Sequence, residues 1–206
     1  MISSDLTVQL LIFRFLAGVI IATVHGATLA LVAVWLGDQG PKHDGRLTLS
    51  PVRHLDLLGT VSILLSGFGW SKPLAIEAEQ FRLGRWGLVI VVLAGSAALL
   101  AVSLLLTMLV IPALTMLPYT AGLAVSAFLR VAARLCVWMA MFSLLPLPPL
   151  AGGHFLVALG IKVPPAAVTF FALGLLIVSS LGFTRTLLMP AYDIVAPLLL
   201  APGSLA

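Results

Sequence analysis

Few of the 206 side chains are equipped for chemistry: four histidines, one cysteine and seven carboxylates. An imidazole can ligate zinc, serve as axial ligand to a macrocycle, or move a proton near neutral pH. His25 lies inside a long apolar run, where an ionisable side chain marks a functional site by default. No general-base candidate stands near it in the sequence. A hydrogen bond to a neighbouring group is therefore the weightier reading of this residue. His43 and His54 fall in a polar interval and read as interfacial residues, and His154 follows Gly153. Cys136, alone in an apolar run, has no cysteine to pair with. Arg130 and Arg134 are four apart and share a helical face. They are expected to snorkel at an interface boundary and are candidates for contact with anionic lipid or a partner carboxylate.

The elements that must position these groups are set by hydrophobicity. Hydrophobic residues make up 61% of the chain and charged residues 9%, against about 25% charged in a typical soluble domain. Mean hydropathy is +1.20. A soluble fold and intrinsic disorder are both excluded. The eleven Lys and Arg form no basic stripe, so nucleic acid is not an expected partner. The N-terminus lacks a basic n-region, and no removable leader is expected.

A spanning helix needs about 20 apolar residues. Runs at 7–36, 86–129, 135–161 and 163–184 predict four spans, with shorter apolar pieces at about 57–70 and 191–203. The second run is too long for one helix, and Pro112, Pro118 and Gly122 offer breaks. The third contains Pro146, Pro148, Pro149 and Gly152-Gly153, which predicts broken backbone around a cavity. Residues 37–86 hold six of the eleven basic residues, which places this interfacial region in the cytoplasm by the positive-inside rule. Leu57–Trp70 is then re-entrant or interfacial. Alternation in Gly45–Pro51 predicts a short strand. Trp35, Trp70 and Trp86 are expected in an aromatic belt. Gly95 to Ala98 are small enough for close helix approach.

Three phrases stand in order: GD…GRLTLSPVRHLD, FGWSKP and LLPLPPLAGGH. Together they resemble the site-2 protease family of intramembrane zinc metalloproteases, especially its compact prokaryotic members. The resemblance implies an H-E-x-x-H helix whose two histidines share a metal, a glutamate base, and a third ligand from a P-P-L-D-G-G phrase. It also implies a structural turn at Gly37-Asp38, with the Asp38 carboxylate capping backbone donors. In this sequence His25 matches the first ligand. Gly26 stands at the base, Leu29 at the second histidine and Ala151 at the aspartate. Gly, Leu and Ala offer a metal no lone pair. Ser96 and Ser143 stand in further family phrases, A-G-P-x-x-N and F-N-L-L-P.

The expectation is an all-α polytopic membrane protein, one domain over 1–206. Its site-2-protease-like core has about four to six helices and a short re-entrant or interfacial strand-loop region. The resemblance implies a degenerate, non-catalytic homologue with no resident cofactor, in the inner membrane of a prokaryote. Such a protein would bind or scaffold a transmembrane partner, among lipids, in a larger complex such as an energy-transducing one. The alternatives are an active metalloprotease with substituted ligands, and a haem- or pigment-binding subunit using His25 or His154.

Overall fold

The computed structural model describes residues 7–161 and 163–200. Helix α1 (Val8–Leu36) starts at Thr7, whose hydroxyl accepts from the Leu10 N–H at 3.2 Å. It stops at Gly37, where φ is 126°. At 1.5 Å per residue it is about 43 Å long, more than the ~30 Å hydrocarbon core. Helix α2 (Gly40–His43) is a single turn. Helix α3 (Leu57–Ser66) is capped by Asp56, which accepts from the Gly59 N–H at 2.8 Å. At about 15 Å, α3 is too short to cross, in keeping with an interfacial or re-entrant piece. Then come α4 (Trp86–Met108), α5 (Val110–Met116), α6 (Tyr119–Phe142), α7 (Gly153–Ala158), α8 (Pro165–Ser180) and α9 (Phe183–Leu199).

Among the described residues three segments are long and apolar enough to cross a membrane: α1, the stretch Trp86–Met116, and α6. Helices α8 and α9, bent by 74°, make at most a fourth. The protein is an all-α polytopic membrane protein. Helix α4 packs between α1 and α6, and α9 closes against α6. In the core, the Phe68 ring meets Trp138 and Phe142 edge-on at 5.5 and 5.3 Å. That burial ties the chain after α3 to α6.

Several expectations are corrected. The run 135–161 is not a span of its own. Leu135 to Phe142 complete α6, and the prolines then break the helix. Pro112 lies inside α5, so the turn falls at Leu117-Pro118. Arg130 and Arg134 consequently lie near the middle of the sequence of α6. Among the described residues there is no strand at Gly45–Pro51. Its backbone is committed locally: the Thr48 carbonyl accepts from the His54 ring at 2.7 Å, and the Thr48 hydroxyl accepts from the Ser50 N–H at 3.1 Å. An isolated bridge pairs Leu55 with Ser71 instead. Trp35 and Trp86 are exposed near helix ends, as a belt requires, whereas Trp70 is buried. The Arg14 Nη1 donates to the Leu64 and Leu65 carbonyls at 2.8 and 3.0 Å and caps the end of α3. Of the apolar piece at 191–203, residues 201–203 lie outside the described residues, as does the N-terminal stretch 1–6.

Asp38 is buried and bonds as its turn position suggests. Oδ1 accepts from the Gly40 N–H at 2.8 Å, and Oδ2 from the Glu77 N–H at 3.0 Å. One carboxylate thus fastens the end of α1 to the chain before α4. Asp38→Ala strands two backbone donors and should cost about 2 kcal/mol, read as a lower unfolding midpoint in mild detergent. An unchanged midpoint would remove Asp38 from this bracing role.

Candidate functional site

A cavity of about 150 Å³ lies among α1, the chain after α3, α4 and the broken segment after α6. His25, Leu29, Ser71, Ser143, Ala151 and His154 all face it. Folding has therefore brought Ala151 to His25 and Leu29, from which it is distant in the chain. The two α1 residues lie four apart on one helical face. Ala151 arrives on a turn in which Gly152 N–H donates to the Ser143 carbonyl at 2.7 Å. The peptide between Pro148 and Pro149 is cis.

His25 is buried, and its Nδ1 lies 3.1 Å from the Ser71 hydroxyl. The hydrogen-bonding reading of this imidazole is the observed one. Sequence inspection missed Ser71, which belongs to the FGWSKP phrase but stands 46 residues away. Its placement follows from the chain path: the Lys72 N–H donates to the His54 carbonyl at 2.7 Å, beside the Leu55–Ser71 bridge. Nε2 of His25 is buried without a partner. A Cβ on Gly95 would lie 3.0 Å from that nitrogen and 2.7 Å from Leu29, so α4 approaches by virtue of this glycine.

Gly26 points away from the cavity, toward His54. A Cβ there would lie 2.5 Å from His54 Nδ1. His54 is thus fully buried against α1, which corrects its assignment as an interfacial polar residue. His43 is exposed. Near His54, the buried Arg46 guanidinium donates to the Arg53 and Lys72 carbonyls at 2.5 and 2.6 Å. Ser96 and Ser143 are both buried, with hydroxyls 3.0 Å apart. Ser143 donates onward to the Ala140 carbonyl at 2.9 Å, so Ser96 is the donor between them. Two positions read as drifted family phrases thus form one internal polar contact.

Burial lowers the His54 pKa below its ordinary value, with the nearby Arg46 charge adding to the effect and the Thr48 hydrogen bond opposing it. An imidazole held neutral in the folded state but protonated when unfolded stabilises the fold above the ordinary value of about 6.5. That contribution is lost as pH falls below it. Thermal stability should decline between pH 7 and pH 5, and His54→Gln should flatten the decline. An equally steep decline in the variant would clear His54.

The resemblance implies zinc, and the donors can be tested against it. One free nitrogen, His25 Nε2, faces this neighbourhood from the ligand positions, and Leu29 and Ala151 supply none. Among the described residues no three His, Cys, Asp or Glu side chains gather closely enough to hold a metal ion. The residues present do not fit a three-ligand zinc centre. The cavity is also below the ~300–1,000 Å³ of ordinary ligand pockets, which disfavours a haem-type macrocycle between His25 and His154.

The class defined by this geometry is a helical membrane protein with a histidine-bearing helix set across a cavity from a broken Pro-Pro-Leu-Ala-Gly-Gly turn. Over 148 residues the chain is 36% identical to the Bacillus subtilis (strain 168) protein named "Putative zinc metalloprotease YwhC", covering 69% of this chain. The chain spans 65% of the length of that relative. No protein-family model matches it, and neither does any solved structure. The similarity supports a metalloprotease-like family for this chain.

Proposed function

We propose that this chain is a non-catalytic, site-2-protease-like membrane subunit that holds a transmembrane partner within a larger complex. The observation that carries the reading is the state of the ligand positions. Leu29 and Ala151 line the cavity without a lone pair, Gly26 packs on His54, and the remaining imidazole is bonded to Ser71. Hydrolysis needs a metal-bound water and a base; gripping a segment needs neither. The Arg46–Ser50 stretch supports the grip. It is irregular and presents Leu49 at 74% exposure. With the Thr48 carbonyl and the Ser50 N–H already bonded locally, what the stretch offers a partner is an exposed apolar side chain.

Two measurements test the proposal. Protein purified in mild detergent should carry far less than one zinc per chain and should cleave no transmembrane peptide. Stoichiometric zinc, lost together with cleavage in His25→Ala, would overturn it. A photoreactive residue at Leu49 should crosslink to a segment of another membrane protein. Crosslinks to lipid alone would remove the partner from the reading.

A further inference from the structure

A second cavity, of about 200 Å³, is lined by three arginines from three helices: Arg14 of α1, Arg134 of α6 and Arg185 of α9. Helices α1, α3 and α6 carry no Asp or Glu. Helix α9 carries only Asp193, which is exposed and does not line the cavity. Arg14 spends Nη1 on the α3 carbonyls. The Nε of Arg134 is buried without a partner. Arg185 lies over the Trp138 ring, 5.7 Å from its centroid. Among the described residues no carboxylate lines the cavity beside these three cations, and a partly buried guanidinium without a nearby anion is costly.

We propose that this cavity is a binding site for a phosphate group, its oxygens shared among Arg14, Arg134 and Arg185. Guanidinium forks match the spacing of phosphate oxygens, and several can address one phosphate at once. Anionic phospholipids present that group at the membrane surface; free inorganic phosphate presents the same chemistry. Leu10, Leu135 and Trp138 line the same cavity and offer apolar surface beside the charges, which suits a headgroup with its acyl chains. The site is separate from the His25 cavity and stands whether or not the protein is catalytic. It also divides the two arginines of α6: Arg134 faces the cavity, and Arg130 does not line it.

The purified full chain, in neutral detergent, is titrated with short-chain phosphatidylglycerol, with phosphatidylcholine of the same chain length, and with inorganic phosphate. Unfolding temperature and native mass spectrometry are the readouts. Phosphatidylglycerol should bind saturably and raise the unfolding temperature, with little response to phosphatidylcholine. Arg185→Gln and Arg134→Gln should each weaken binding about tenfold or more, while Arg130→Gln leaves it unchanged. Should Arg134→Gln fail to fold, the exposed Arg185 carries the test alone. A saturable response to inorganic phosphate with the same arginine dependence assigns the site to the free ion and still supports it. Equal responses to both lipids, no response to either lipid or to phosphate, or equal loss in Arg130→Gln would overturn it.

Discussion

Gly59→Ala should be among the most damaging single-methyl changes in this protein. The added Cβ would lie 2.2 Å from the Trp70 carbonyl oxygen and 3.0 Å from the Trp70 nitrogen. Both are backbone atoms, so no side chain can rotate away. The approach is mutual, because a Cβ on Gly69 would lie 2.2 Å from the Gly59 carbonyl oxygen. The start of α3 therefore lies backbone against backbone on Gly69-Trp70. Relief requires the two segments to part, at a cost of about 3 kcal/mol, the upper end of the usual overpacking range. Parting them also carries Ser71 away from His25. The expected result is a lowered unfolding temperature together with a changed His25 ring environment by NMR. Gly174→Ala is the control: nothing lies within 4 Å of its Cβ, and replacing a helical glycine gains up to about 1 kcal/mol. If Gly59→Ala is as stable as the native chain, this close approach is wrong.

Gly152→Ala should do comparable damage on the opposite wall of the cavity. Gly152 has ordinary helical dihedrals, φ −58° and ψ −18°, so an alanine backbone is not strained there. The obstacle is space alone. Its Cβ would lie 2.2 Å from the Leu145 carbonyl oxygen and 2.7 Å from the Leu144 carbonyl group. A loss of about 3 kcal/mol is expected, with disruption of the turn that presents Ala151. The neighbouring Gly153→Ala should be milder, since its nearest approach is 3.2 Å, to Pro148. Equal effects at 152 and 153 would show that glycine flexibility, and not the Leu144–Leu145 backbone, matters here.

Much of the fold is legible in the sequence where a run has clear ends. Helix α1 is bounded by Thr7, a capping hydroxyl, and by Gly37, and α8 by Pro164-Pro165. The boundary of α6 was not legible, because no charge separates Trp86 from Leu129 and several breakers compete. The strand expected at Gly45–Pro51 failed for a different reason. Alternation signals a half-buried surface, and here the His54 ring and local turns consume the polar groups that a strand would pair.

At the site, the residue types alone were informative. At the positions that the resemblance marks, the side chains of a glycine, a leucine and an alanine offer a metal no donor in any fold, and 61% hydrophobic content demands a membrane in any arrangement. Those conclusions depend on composition and on short phrases matched to a family, which the chain order supplies directly. What His25 touches, where His54 is buried, which glycines are irreplaceable and that three arginines share a cavity were decided by tertiary structure alone. Each depends on packing between segments distant in the chain, and propensity and periodicity, which act over a few residues, carry no record of it.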